Sequence, residues 1–259
     1  AEGGAPPFST LLVTVHACLY SYRMPSSARS LVAPRTSARQ RWALLVTVSS
    51  GLFLIAIDNS IMFTALPTLQ RELDASADET LWMLNAYPLV MAGLLLGAGT
   101  LGDRYGHTRL FVSGLAIFGA ASLAAAFAPT AGGLIAARAL LGLGAASMMP
   151  ATLALIRVTF SDVRERNLAI GVWSSISVTG AATGPLVGGL LLEWFWWGSI
   201  FLVNVPVVVA ALVAAHRVAP RGGGDRARSW DLASSVLAML ALSGLVVTVK
   251  ELVSTDIEP

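Results

Sequence analysis

Residues 180–189 read Gly180-Ala-Ala-Thr-Gly184-Pro185-Leu-Val-Gly188-Gly189, inside an apolar run from Leu168 to Leu192. That run is long enough to cross a bilayer, whose hydrocarbon core needs about 20 residues of helix. In water, such a helix would lose about 1 kcal/mol at each Gly and about 3 at the Pro, relative to Ala. In lipid the same residues have uses. Gly180, Gly184 and Gly188 are four apart, so they share one face and let a neighbouring backbone approach closely. Pro185 removes a backbone hydrogen bond and bends the rod. A bent, closely packed transmembrane helix suits a protein that changes shape better than it suits an anchor.

Composition supports the membrane assignment. Charged residues make up 12% of the 259, against about 25% in soluble domains. The apolar segments are too long and uniform for the alternating strands of about ten residues found in outer-membrane barrels. The fold class expected is therefore all-α and integral to the membrane. Cys18 is the only cysteine, so no intrachain disulfide and no cysteine-based zinc or iron–sulfur centre can form. No phosphate-binding loop, nucleophile triad or metal-ligand cluster stands out, which leaves an ATP-driven pump and a membrane hydrolase without support. The chain is expected not to be an enzyme and to bind no nucleic acid.

Seven spans follow from hydropathy, at Trp42–Leu66, Leu81–Leu101, Leu110–Phe127, Leu134–Ile156, Leu168–Leu192, Ser199–Val218 and Leu232–Leu252. The connectors alternate in charge. Arg104, Arg109, Arg157, Arg164, Arg166, Arg221, Arg226 and Arg228 lie on one side, with Arg29, Arg35, Arg39 and Arg41 of the N-terminal tail. The opposite side carries Arg71 against Glu72, Asp74, Asp78 and Glu79, and little else that is charged. The positive-inside rule places the tail and the basic loops in the cytoplasm. The expected organisation is a cytoplasmic tail over 1–41, a six-helix bundle over 42–218, a basic loop over 219–231, a seventh helix over 232–252 and a short end at 253–259. Met24 is the first methionine, and the apolar stretch Phe8–Tyr22 is too short to span. Residues 1–23 are therefore read as upstream translated or artefactual sequence, with an amphipathic interfacial segment as the alternative. The end at Pro259 reads as a truncation.

Ionisable groups inside spans are the natural functional candidates. Asp58 sits in Leu54-Ile-Ala-Ile-Asp58-Asn-Ser-Ile61, some sixteen residues from Trp42 and hence near mid-membrane. A carboxylate there must protonate, pair with a cation or face water. Each option describes a proton or cationic-substrate site, and permanent pairing with Arg138 is the plainer alternative. Arg138 lies a few residues inside the fourth span, where snorkelling to the interface competes with an inward-facing role. Asn85, Tyr87 and Trp173 are candidates to line a cavity. Glu193, beside Trp194, Phe195, Trp196 and Trp197, reads as an interfacial belt or as a vestibule attractive to quaternary ammonium groups. Asp231 reads as the N-cap of the seventh helix.

The connector Gly99-Thr-Leu-Gly-Asp103-Arg104-Tyr-Gly106-His-Thr-Arg109 could be an ordinary basic hairpin, but its spacing resembles the signature loop of the major facilitator superfamily. By that resemblance, Gly99, Asp103, Arg104, Gly106 and Arg109 form a latch that holds the two halves outward-facing. His107 and Thr108 stand where the family often has basic residues, so the charge cluster is thinner here. The stretch Gly180, Gly184, Pro185, Gly188 and Gly189 resembles that superfamily's antiporter motif, which uptake members usually lack. Its packing partners are then expected to include helices of a second bundle. Arg138-Ala-Leu-Leu141-Gly142 resembles a family pattern linked to proton transfer, with Leu in place of Gln. The run Asp58-Asn-Ser-Ile-Met-Phe-Thr-Ala-Leu-Pro67 resembles the first helix of the EmrB/QacA drug:proton antiporters with fourteen helices. So do Trp82-Met-Leu-Asn-Ala-Tyr-Pro88-Leu and Trp197-Gly-Ser-Ile-Phe-Leu-Val-Asn-Val-Pro206. The resemblance covers about Arg41 to Leu252 and is nearest to exporters of quaternary ammonium compounds and dyes, of the methyl viologen type.

The resemblance implies a six-helix N-terminal bundle of the major facilitator fold plus a seventh linker helix. It further implies proton-coupled efflux of lipophilic or quaternary ammonium cations, dyes and drugs across the cytoplasmic membrane, with Asp58 and Arg138 coupling proton to substrate. The expected partners are the lipid bilayer, small cationic amphipathic substrates, protons and the C-terminal half absent from this chain. No cofactor is expected, the drive being the proton motive force. A proton-coupled uptake symporter of the same fold and a non-transporting truncated membrane protein are the alternatives.

Overall fold

The computed structural model describes residues 37–220 and, beyond them, Leu237, Ala241 and Gly244. The expected features of residues 1–36, the 219–231 loop beyond Pro220, the seventh helix with its cap Asp231, and the chain end otherwise lie outside the described residues. Within them the secondary structure is helical, without strands. The helices are α1 (Ala38–Glu72), α2 (Ala77–Tyr105), α3 (His107–Ala126), α4 (Ala131–Thr159), α5 (Val163–Trp194), α6 (Ser199–Leu202) and α7 (Asn204–Val218).

The helix starts follow from local chemistry. Ser76 caps α2 in a reciprocal box: its Oγ accepts from Glu79 N, and the Glu79 carboxylate accepts from Ser76 N at 3.0 Å. Those bonds, from the Ser76 backbone first and its hydroxyl second, hold the Glu79 carboxyl below the usual glutamate range. Thr130 caps α4 and Asp162 caps α5 through their side-chain oxygens.

Helices α1, α3, α4 and α5, and α6 taken with α7, are each long and apolar enough to cross a membrane. The parts of α2 over Ala77–Leu95 and Gly97–Tyr105 meet at 55° and qualify when counted as one span. The helices outrun the apolar segments. At 1.5 Å per residue, the 35 residues of α1 reach about 52 Å, against a hydrocarbon core of about 30 Å. Charged residues outside the core can continue a helix, because its backbone is satisfied internally in water and lipid alike. So α1 runs on through Pro67, and the connector expected over Gly102–Arg109 shrinks to Gly106 alone, at φ 98°. That backbone conformation favours glycine. The sixth span, expected as one rod, is broken at Val203, and Asn204 opens α7.

Helices α2 and α3 both pack along α4, α5 packs along α1, and α7 packs against α1 and α3. Close approach depends on missing side chains. A Cβ on Gly142 of α4 would fall 2.5 Å from Tyr87 O of α2, and one on Gly144 would fall 2.9 Å from Gly114 O of α3. Helix α5 is the peripheral member: 17% of its most apolar window is buried in the protein, against 67% for α1.

Candidate functional site

Five helices converge on one buried charge pair. Arg138 Nη1 of α4 donates to Asp58 Oδ2 of α1 at 2.6 Å, and the two side chains are 0% and 1% exposed. Arg138 Nε donates to Met83 O of α2 at 3.2 Å, and its guanidinium lies over the Tyr87 ring, 4.7 Å from the centroid. Asn204 of α7 completes the carboxylate by donating Nδ2 to Asp58 Oδ1 at 2.9 Å, and the same nitrogen reaches Ser122 Oγ of α3 at 3.3 Å. The local sequence explains the convergence. Gly142 is one turn beyond Arg138, and Tyr87 one turn beyond Met83, so the close backbone approach at Gly142 brings Arg138 within reach of the Met83 carbonyl. The break at Val203 sets the Asn204 amide at the start of a helix, facing inward.

The pair has no net charge, which makes its burial tolerable, and each carboxylate oxygen has a donor. Hydrogen-bonding capacity remains. Among the described residues, Arg138 Nη2, Tyr87 Oη and Asn204 Oδ1 are buried without a hydrogen-bond partner.

The expected residues fall into different places. Arg138 does not snorkel: it is enclosed, because Asp58, Met83 O and the Tyr87 ring give its head better partners than the interface could. The pairing of Asp58 with Arg138, weighed above as the plainer alternative, is the observed arrangement. Tyr87 is buried beneath the guanidinium and so is not on an open wall. Asn85 is half-buried and bonds its own helix at Leu81 O. Trp173 is half-buried, with Nε1 enclosed and unpartnered among the described residues. It is not among the residues lining a shallow groove of about 480 Å³ that runs along α5 from Asn167 through Gly171 and Ser175 to Thr179. Asn204 and Ser122 were not singled out from sequence. The available signal was an amide within an apolar span, and its meaning depends on partners on other helices.

The glycines of α5 form a seam inside this bundle. Gly180, Gly184 and Gly188 are buried, and their packing partner is α1 of this same bundle. A Cβ on Gly180 would lie 3.0 Å from Ala56 Cβ, one on Gly184 2.5 Å from Ser60 Cβ, and one on Gly188 3.2 Å from Ile61 Cγ2. The phase of a four-residue repeat decides this: the three glycines form one stripe, and α1 occupies it. Gly189 and Pro185 lie off the stripe, with open space at Gly189. Pro185 has no N–H to give Ala181 O, and Ser60 Oγ donates to that carbonyl across the interface at 2.6 Å.

At the expected latch, Gly106 makes the turn between α2 and α3. Asp103 Oδ1 faces His107 Nε2 at 3.4 Å, Arg104 lies over the Tyr105 ring, and Thr108 Oγ1 donates to Pro220 O at 2.8 Å. Gly99 is half-buried with open space at its Cβ position, and Arg109 is exposed. The helix starts of α1 and α5 are joined by a forked Arg41–Glu165 pair at 3.0 Å.

Known proteins resemble this chain in fold or in sequence. Two crystal structures of the peptide transporter POT superpose with TM-scores of 0.63 and 0.64 at 19% and 17% identity, covering 81% and 85% of this chain and 44% and 46% of theirs. At that identity the likeness is one of fold. The methyl viologen resistance protein SmvA of Salmonella typhimurium is 47% identical over 211 residues, which is 82% of this chain and 43% of that protein. The multidrug efflux pump LfrA of Mycolicibacterium smegmatis is 44% identical over 83% of this chain and 43% of its own length. The tetracenomycin C resistance and export protein of Streptomyces glaucescens is 38% identical over 82% and 40%. The chain thus spans less than half the length of these relatives. Residues 48–252 match the Major Facilitator Superfamily as a family, and the chain, a multi-pass membrane protein, belongs to it.

Proposed function

We propose that this chain supplies the proton-coupling half of an exporter of lipophilic or quaternary ammonium cations. The single observation that carries the reading is the Asp58–Arg138 pair, enclosed where α1 and α4 cross and completed by Asn204. A paired carboxylate inside a membrane protein is neutral with its arginine. When it takes a proton, the arginine is left with an uncompensated charge, which favours a different arrangement of the helices around it. Proton and cationic substrate then compete through the charge of one site, and binding of each biases the inward–outward equilibrium. The names of the relatives, which speak of methyl viologen resistance, multidrug efflux and export, support the substrate class and the outward direction. The glycine–proline motif of α5, by its resemblance to the antiporter motif, supports export over uptake.

In this reading, the drive is the proton motive force and no cofactor takes part. The protein resides in the cytoplasmic membrane with its N-terminus and its arginine-rich loops inside, in keeping with their charge. Helix α5 is the moving element, and the turn at Gly106 with Asp103, Arg104 and Arg109 is the latch toward a second bundle. Chemistry on the substrate is not required.

The test is efflux of ethidium from vesicles under an imposed proton gradient, with the protein expressed to the full length of its relatives. Asp58→Asn is expected to abolish gradient-driven efflux while the protein stays in the membrane. Undiminished efflux by that variant would sink the assignment.

A further inference from the structure

We propose that Asn204 reports the protonation state of Asp58 by turning its amide over, with Ser122 reversing its hydroxyl in step. This rests on the coupling role given to Asp58 above. Asn204 Nδ2 now donates to both Asp58 Oδ1 and Ser122 Oγ, and Asn204 Oδ1 has no partner among the described residues. This arrangement suits a carboxylate, which only accepts. When Asp58 takes a proton from the aqueous phase on Oδ1, the new O–H needs an acceptor, and Nδ2 cannot be one. A half-turn of the amide exchanges Nδ2 for Oδ1 at the same place. The terminal torsion of Asn is broad and two-fold, so the turn needs no backbone motion. Oδ1 then accepts from Asp58 O–H. Ser122, whose hydroxyl can either accept or donate, turns to donate to the same oxygen. The turn itself leaves Arg138 donating to Oδ2, and the charge left uncompensated on the arginine then drives the helix rearrangement proposed above.

Both states therefore satisfy the same contacts with the donors and acceptors reversed. Few side chains can do this. Leu can do neither, Asp lacks the donor, and Lys lacks the acceptor. The other groups around the carboxylate do not compete for the role. From α4 the facing charge is Arg138, a donor in both states, and from α2 the titratable neighbour is Tyr87, stacked on that guanidinium. The α5 stripe opposite α1 from Gly180 to Gly188 and the short α6 contain no titratable residue. Asn204 opens α7, so the turn of its amide carries the state of Asp58 into the sixth span at its break.

The test is solid-state NMR of this chain in lipid vesicles, with Asn side-chain nitrogens labelled with 15N and Asp side-chain carboxyls with 13C. The chain holds four asparagines, Asn59, Asn85, Asn167 and Asn204. Replacing the first three by Gln, which lie outside the site, assigns the fourth without touching it. As pH is varied over about 4 to 10, the Asn204 nitrogen is expected to titrate with the same midpoint as the Asp58 carboxyl. Its signal is expected to become independent of pH in Asp58→Asn. In Ser122→Ala the shared midpoint remains and the amplitude at the nitrogen falls. If Asp58 titrates while the Asn204 nitrogen stays fixed, the amide switch is wrong and proton coupling survives. If Asp58 does not titrate at all, proton coupling fails and the switch fails with it.

Discussion

Helix α1 is held on two faces by opposite means. Asp58 and Ser60 are two residues apart, so they point about 200° apart around the helix. The Asp58 face is held by charge, through Arg138 and Asn204. The Ser60 face is held by the absence of side chains, where Gly180, Gly184 and Gly188 let α5 press against it. A charge pair is costly to break and binds α1 to helices α4 and α7. The glycine stripe carries no charge and joins α1 to α5 through close backbone approach and the Ser60–Ala181 hydrogen bond. In the function proposed above, this difference divides the labour within the bundle: the ionic face would sense the proton and the glycine face would move.

The largest effect expected from disturbing this arrangement is on the ionic face. Arg138→Ala leaves a buried carboxylate unpaired and is expected to cost about 3–5 kcal/mol, measured as a loss of folded protein against denaturant in detergent. The double variant Asp58→Leu/Arg138→Met removes both charges and should recover most of that loss. If the double variant were as unstable as the single, the ionic face would be held by packing and not by charge.

The glycine face is the next test. Gly184→Ala places a methyl group 2.5 Å from Ser60 Cβ, so α1 and α5 must separate, at about 1–3 kcal/mol. Gly189→Ala meets open space and is expected to be neutral or stabilising by up to about 1 kcal/mol. Equal effects at the two glycines would remove the seam from the account.

A smaller effect isolates the Ser60 bond. Ser60→Ala should cost about 1 kcal/mol, because it strands the Ala181 carbonyl freed by Pro185. In a Pro185→Ala background the helix can satisfy that carbonyl itself, so the same change should cost little. The coupling between the two sites is read from the double-mutant cycle. A cost for Ser60→Ala that is the same in both backgrounds would mean that the hydroxyl serves only as packing.

The smallest effect lies outside the membrane and provides a control on helix α2. The Glu79 carboxyl is held below its ordinary value of 4.5 by Ser76. Its contribution to stability is therefore present above about 4.5 and is lost as pH falls through the lower, folded value. Ser76→Ala should flatten that acid-side dependence and leave the Asp58 face unchanged.

Much of both faces was legible in the sequence, for a physical reason. Asp58 and Arg138 stand out because a charge inside an apolar run is expensive wherever it ends up, and Gly and Pro stand out because a helix in water would avoid them. The first six spans were readable for the same reason. Asn204 and Ser122 were not, since a single amide or hydroxyl costs little in a helix and acquires meaning only from partners on other helices. Helix ends were misjudged where hydropathy stops and the helix does not, as at Ala38, Glu72 and the one-residue turn at Gly106. The partner of the glycine stripe also needed tertiary structure, because periodicity gives the face and not what lies against it.

The central claim is that a proton and a cation compete through Asp58. The most direct measurement is the affinity for ethidium as a function of pH, in vesicles containing the protein at the full length of its relatives. The account predicts that below the Asp58 midpoint the affinity falls about tenfold per pH unit, and that Asp58→Asn removes this dependence. The same slope in Asp58→Asn would contradict it.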